Sequence, residues 1–326
     1  MKRPWLISNI IYTIIVVSFS VTILGSSSAV PTSDRFPTAH VVNIHERFFL
    51  VDCGEGTQMQ LQKYEIGFGK INHIFISHLH GDHVFGLFGL LSTLSLLERK
   101  TDLHIYANPM LKTILDEHHK YFYQHPFPFS IIFHPFGASR KKLLYEDDKL
   151  DIHTIPMKHR TPCCGFLFRE KPPLLNIRKE MIDLYKIPVE DIINIKKGHD
   201  FINTQGEKIP NKILTLPPLK ARSMAICSDT GYSESIIPRI KDVDILYHEA
   251  TYLDEMRESA ANTAHSTAKQ AGMLARKANV GKLLIGHFSA RYKSAEPLLI
   301  EARKEFPVTF VANEGDCHSV KQIRTG

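Results

Sequence analysis

Residues 21–24, 39–44 and 48–53 cluster or alternate apolar side chains at strand length, with Pro- and Ser-containing turns between them, which predicts a meander. Residues 72–77 read as a buried strand, and 84–97 as an apolar helix in which Gly86 and Gly89 permit close packing. A strand at 103–106, a helix over 109–121 and strands near 130–134, 149–155 and 164–169 complete the first half. From residue 223 the pattern alternates: strand to 228, helix from 235, strand 244–247, helix 267–278, strand 282–285, helix 295–306, strand 308–311. Such alternation means sheets covered by helices, so the chain is of the α/β class. Two β-sheets face to face with helices outside, an αβ/βα sandwich, accommodate both halves.

Between about 170 and 220 the long strand patterns stop, and Lys, Pro and Ile alternate with acidic residues, as in an inserted arm. Short helices fit 177–185 and 189–193, Ile187-Pro188 separates them, and Lys196-Lys197-Gly198 makes a basic turn. Composition alone is equally compatible with a solvated surface excursion.

The 326 residues, 43% apolar and 23% charged, are those of a soluble globular protein with a sizeable core. A formal charge of +6 permits a polyanionic partner without demanding one. Five cysteines, Cys53, Cys163, Cys164, Cys227 and Cys317, are scattered, odd in number and lack the paired spacing of a zinc ribbon, so they read as reduced thiols in a cytosolic protein. The amino terminus points the other way. Met1-Lys2-Arg3 and the apolar run 5–24 have the form of a signal or anchor, which would bring membrane contact. Residues 1–18 are accordingly expected to be a hydrophobic extension, from an upstream start site or as a short anchor, ahead of a main domain over 19–326.

Four metal-ligating side chains fall within six residues, His78-Leu79-His80-Gly81-Asp82-His83, directly after a predicted strand. On extended backbone His78 and His80 project to one side, and Gly81 is expected to allow a turn that brings Asp82 and His83 round. Imidazoles with a carboxylate suit zinc or a similar divalent ion. One loop cannot close two coordination shells, and His159, Asp229 and His287, each after a predicted strand, are the further candidates.

The stretch resembles the His-x-His-x-Asp-His signature of the metallo-β-lactamase superfamily. Further words, FLVDCGEGTQMQ at 49–60, CSDT at 227–230, HEAT at 248–251, HST at 265–267 and GHFSARY at 286–292, make the chain similar, in order over about residues 21–320, to ribonuclease Z, the endonuclease that processes tRNA 3′ ends. The resemblance implies that His78, His80 and His159 hold a first zinc ion, that Asp82, His83 and His287 hold a second, and that Asp229 bridges them. It implies a zinc-dependent endoribonuclease that removes the 3′ trailer from precursor tRNA, a homodimer, an arm that grips tRNA, and no small organic cofactor.

Two ions can activate water and clamp a phosphoryl oxygen, and the resemblance implies Asp82 as proton acceptor. The ribose leaving oxygen gains from protonation, for which His248 and His265 are candidates; the resemblance implies His248 first, with Glu249 orienting the site. The plainer readings are strand and helix caps. Asp52 either orients a ligand histidine or forms an Asx turn. Manganese or another divalent ion satisfies the same ligands. A small-molecule phosphodiesterase, arylsulfatase or lactonase on the same scaffold is the alternative, and a non-catalytic RNA-binding copy is a third reading.

Overall fold

A computed structural model describes residues 18–123 and 125–325. The expected 1–18 extension therefore lies outside the described residues except for Ser18, and among those described no helix is long and apolar enough to cross a membrane.

Sixteen strands are described: β1 (Phe19–Gly25), β2 (Ala39–Ile44), β3 (Arg47–Val51), β4 (Ile71–Phe75), β5 (Leu103–Ala107), β6 (Ile131–Pro135), β7 (Leu143–Glu146), β8 (Leu150–Pro156), β9 (Cys164–Glu170), β10 (Phe201–Ile202), β11 (Lys208–Ile209), β12 (Ser223–Cys227), β13 (Ile245–Glu249), β14 (Leu283–Gly286), β15 (Thr309–Val311) and β16 (Cys317–Ser319). The helices are α1 (Thr57–Lys63), α2 (Gly81–Leu96), α3 (Met110–Phe122), α4 (Lys179–Leu184), α5 (Val189–Lys196), α6 (Asn211–Leu214), α7 (Ile237–Ile240), α8 (Arg257–Thr263), α9 (Ala268–Lys277) and α10 (Glu296–Glu305).

One seven-stranded sheet runs β16-β1-β2-β3-β4-β5-β6 and the other β15-β14-β13-β12-β9-β8-β7. Each is mixed. The β1-β2-β3 meander is antiparallel and β3 to β6 are parallel, while β12 to β15 are parallel and β7, β8, β9 and β12 are antiparallel neighbours. The parallel strands β12 and β13 are buried at every residue, as strands covered on both faces must be.

Period-2 alternation sorts the apolar side chains into two sets. Phe49, Phe75, Phe166, Phe168, Ile226 and Tyr247 fill the space between the sheets. Leu50 and Ile74 pack outward against α2 and α3, and Leu246 and Ile285 against α9 and α10. The expected αβ/βα sandwich is the observed fold.

Helix α2 is held by Leu87, Leu90, Leu91 and Leu94, each at 0–1% exposure, and each such side chain contributes about 1.5–3 kcal/mol on burial. Gly86 lets it come close, because a Cβ there would lie 1.9 Å from the Gly54 carbonyl oxygen. That anchoring matters because the first turn of α2 carries Asp82 and His83. Gly81 does not act as the expected turn. Its φ is not positive, His80 is the N-cap residue, and the start of a helix is what swings Asp82 and His83 round. Glycine at 81 instead leaves room for the Phe85 ring.

The segment between β9 and β12 is a small folded unit. Ile187, Ile195, Phe201, Ile209 and Leu214 form a cluster of their own, built from α4, α5, the β10–β11 hairpin and α6. Its base closes through an Ile177–Thr215 bridge and a Leu216 N–H bond to the Asn176 carbonyl at 2.8 Å. The two helices and the Gly198 turn, at φ 99°, follow the pattern read from sequence, whereas the two-residue strands are too short to leave one.

Candidate metal centre

The centre lies where strands of both sheets end. His78 and His80 follow β4, His159 follows β8, Asp229 follows β12, Glu249 ends β13 and His287 follows β14. In α/β sheets the carboxyl ends of parallel strands are where loops converge and ligands bind.

All seven predicted ligands meet there, in three overlapping groups. Ligand atoms of His78, His80, His159 and Asp229 lie within 4.8 Å of one another, as do those of Asp82, His83 and His287, and those of Asp229, His265 and His287. Asp229 stands between the first two. Its Oδ2 faces His78 Nε2 at 3.6 Å and His159 Nε2 at 3.9 Å, while Oδ1 faces His83 Nε2 at 3.3 Å and His287 Nε2 at 3.1 Å. Asp82 Oδ2 lies 3.4 Å from His83 Nε2 and 3.3 Å from His287 Nε2.

The outer nitrogens of these rings are spoken for. His83 Nδ1 donates to Asp52 Oδ2 at 2.9 Å, and His159 Nδ1 donates to the Ala264 carbonyl at 3.0 Å. Thr251 gives its proton to Glu249 Oε2 at 2.6 Å, so the His287 Nδ1 3.0 Å away is a donor to that hydroxyl. With the proton on Nδ1, each Nε2 presents a lone pair to the centre. His83 Nε2 and Asp229 Oδ1 are both buried without a hydrogen-bond partner. Lone pairs and carboxylates pointed at one another are unfavourable unless a cation lies among them, so this donor set fits divalent metal ions of borderline hardness.

The electrostatics agree. Burial alone would raise the carboxyls of Asp82 and Asp229, but positive charge at His83 and His287 holds both well below the usual range. Against burial, Asp229, Asp52 and Asp82 raise His83 well above its own, so the site draws positive charge that a metal ion would supply in place of a proton on Nε2. Burial, then His83, keeps His78 from protonating.

Asp52 and His287 both adopt φ 58°, in the left-handed region, which Asp and His tolerate better than most residues. Asp52 accepts from His83 and from the Ser77 amide at 2.7 Å, which favours the orienting reading. The Ala29 amide donates to Asp82 Oδ2 at 2.8 Å.

His248, expected ahead of His265, and His265 lie in different surroundings. His248 is wholly buried, its Nδ1–H donates to the Glu249 carbonyl at 2.6 Å, and it does not line the cleft. At residue 248 the chain is still in β13, so successive side chains alternate faces and only Glu249 turns toward the centre. His265 borders a cleft of about 390 Å³ together with His80, Asp82, His159, Asp229 and His287. Its Nδ1 lies 2.9 Å from Glu249 Oε1. Burial opposes protonation, yet Glu249 outweighs it and pushes the His265 pKa up to about 9. Glu249 is wholly buried and also accepts the Thr230 and Ser266 amides at 2.7 and 3.1 Å. Helix capping falls to Thr267, in a capping box with Gln270. The sequence places Thr251 and Ser228 inside its motif words without a task, and Ser77 only at the end of a strand.

Comparison with known proteins gives first the class. The fold matches that of the metallo-beta-lactamase fold protein YhfI from Bacillus subtilis, at TM-score 0.66 and 17% identity over 93% of this chain and 100% of that one. It also matches human tRNase Z, short form, at TM-score 0.67 and 24% identity over 92% and 99%. A family model described as Anti-Pycsar protein Apyc1 matches residues 19–172. Ribonuclease Z of Bacteroides thetaiotaomicron is 46% identical over 302 residues, 93% of this chain and 95% of that protein. The chain belongs to the ribonuclease Z family, and it is an endoribonuclease, a phosphodiester hydrolase on the metallo-β-lactamase scaffold.

Proposed function

We propose that this enzyme cuts precursor tRNA after the discriminator nucleotide, releasing the 3′ trailer and leaving a 3′-hydroxyl on the tRNA. The observation that carries the reading is the seven-residue centre, with Asp229 turned to both halves, at the mouth of a cleft in a ribonuclease Z chain. His78, His80 and His159 would hold one divalent ion, Asp82, His83 and His287 a second, and Asp229 would touch both, with zinc the foremost candidate. When bound, such ions supply an activated water and neutralise charge on the scissile phosphate.

The chain's own residues do the rest. Asp82, held ionised and steered by the Ala29 amide, is placed to accept a proton at Oδ2. His265 faces the cleft with Glu249 behind it, the arrangement needed to deliver a proton to the ribose oxygen as it leaves. Arg160, exposed at the cleft rim with Nη2 donating to the Asn262 carbonyl, has further N–H groups to offer backbone phosphate.

The folded unit at 170–220 serves in this reading as the tRNA-gripping arm. Structured RNA is bound mainly through shape and phosphate, which suits an element with its own core and a small excess of Lys and Arg over Asp and Glu. Two copies pair in solution, which sedimentation velocity checks, since a monomer at all concentrations contradicts it. The cytosolic setting rests on the five unbridged cysteines, and recovery of native protein only in membranes would contradict that.

The test is substrate choice. End-labelled precursor tRNA, bis(p-nitrophenyl) phosphate and a lactone are offered in parallel. Cleavage of the precursor at a single position with a 3′-hydroxyl end supports the reading, and turnover of the lactone or small diester with an untouched precursor overturns it.

A further inference from the structure

Three loops of the centre meet at the hydroxyl of Ser77. This residue sits between β4 and the first cluster histidine and is 2% exposed. Its Oγ lies 3.0 Å from Asp52 Oδ2, 3.0 Å from His78 Nδ1 and 3.0 Å from Ser228 Oγ, with His83 Nδ1 at 3.5 Å. Asp52 follows β3 in one sheet and Ser228 follows β12 in the other, so a single oxygen ties the two sheets together beneath the centre.

A hydroxyl has one proton to give and two lone pairs to fill. Among its neighbours the Asp52 carboxylate is the strongest acceptor, so the proton goes there. Ser228 and His78 must then both donate to Ser77 Oγ, which places the His78 proton on Nδ1. The same Asp52 oxygen takes Nδ1–H of His83 at 2.9 Å. His78 and His83 face opposite oxygens of Asp229, one in each half of the centre.

We infer that Ser77 is a positioning residue that fixes the tautomer of a ligand histidine in each half of the centre, directly for His78 and through Asp52 for His83, and thereby links the filling of the two cation positions. The inference rests on the two-ion reading proposed above. Without the hydroxyl, the hydrogen-bond partner left to His78 Nδ1 is Cys163 Sγ at 3.6 Å, a weak acceptor. The proton then gains by moving to Nε2, where Asp229 Oδ2 stands 3.6 Å away, and the lone pair a metal needs is lost.

The test is Zn2+ binding, measured by competition with a chromophoric chelator on the full-length wild type, Ser77→Ala, Ser77→Thr and Ser228→Ala. Wild type binding two ions validates the underlying reading, and fewer than two sinks that reading and this one with it. With two ions in wild type, Ser77→Ala is expected to weaken both by about 10- to 100-fold while Ser77→Thr stays within about threefold. Ser228→Ala, which removes one donor and leaves the Asp52–Ser77 bonds, should weaken both by a smaller factor, so the inference stays testable if Ser77→Ala does not fold. Thermal unfolding of the metal-free proteins separates a folding defect from a ligand defect. Unchanged affinity in Ser77→Ala or Ser228→Ala, loss of one ion alone, or failure of Ser77→Thr to restore binding would overturn the role given to Ser77.

Discussion

His265 donates Nδ1–H to Glu249 Oε1 at 2.9 Å while its ring borders the cleft, 16% exposed beside a carboxylate that is wholly buried. A proton donor needs both a partner that holds the charged ring and access to the substrate, and among HEAT and HST histidines only this one has both.

Replacing His265 by alanine should therefore lower kcat on precursor RNA by about 10²-fold or more with little change in KM, as removal of a proton donor does. His248→Ala is expected to cost stability through a buried cavity, about 1–3 kcal/mol, with turnover per folded molecule within about threefold of wild type. Steady-state kinetics with denaturant unfolding separates the two. A larger kinetic loss at 248 than at 265 would restore the order read from sequence.

The arm closes on itself at Asn176 and Leu216, whose main chains are hydrogen bonded at 2.8 Å, so residues 177–215 can be replaced by a short glycine linker without disturbing the sandwich. Such a deletion should raise KM for precursor tRNA by at least about tenfold while kcat/KM for bis(p-nitrophenyl) phosphate stays within about threefold. Parallel loss on both substrates would show that the unit supports folding rather than RNA binding.

Far from the centre, Glu170 receives the Arg222 main-chain N–H, Nε and Nη2 at 2.8, 3.0 and 2.7 Å, and His45 Nε2 lies 2.6 Å from it. Burial works to raise the Glu170 carboxyl, but Arg222 and then His45 outweigh it and hold it below its ordinary value of 4.5. A carboxyl depressed in the folded state adds stability that is complete above the unfolded pKa and is lost as pH falls through the folded one. Below about pH 4.5 this contribution should fade, and Glu170→Gln should lower Tm at pH 7 yet show a smaller further drop toward pH 3 than wild type. An identical acid slope in both proteins would contradict the assignment.

What the sequence disclosed, and what it hid, divides along physical lines. The parallel strands β12, β13 and β14 are legible because full burial on two faces leaves continuous apolar runs such as Met224 to Cys227. The seven residues that meet in the centre are legible because strand ends carry them in short, rule-bound words. Hidden were β7, α1, α6, α8 and β16, which are short and half-exposed, so neither period stands out. Gly81 reads as the residue that allows a turn, whereas the chain turns there by starting α2 and the glycine leaves space for the Phe85 ring. The rank given to His248 rests on motif membership, which says nothing of which face of a strand a residue occupies, and β13 turns it away from the centre, to the face of Leu246. Ser77 and Thr251 act through their hydroxyl geometry, which no spacing encodes.

The central claim, a centre of two divalent ions shared by Asp229, is tested most directly by elemental metal analysis of purified wild type and Asp229→Ala, paired with precursor-tRNA cleavage on the same samples. Wild type should carry two divalent ions per chain and cut the precursor, and Asp229→Ala should lose metal from both positions and cleavage together. A wild-type enzyme that cleaves precursor tRNA after complete metal removal, or an Asp229→Ala enzyme that keeps both ions and full activity, would contradict the account.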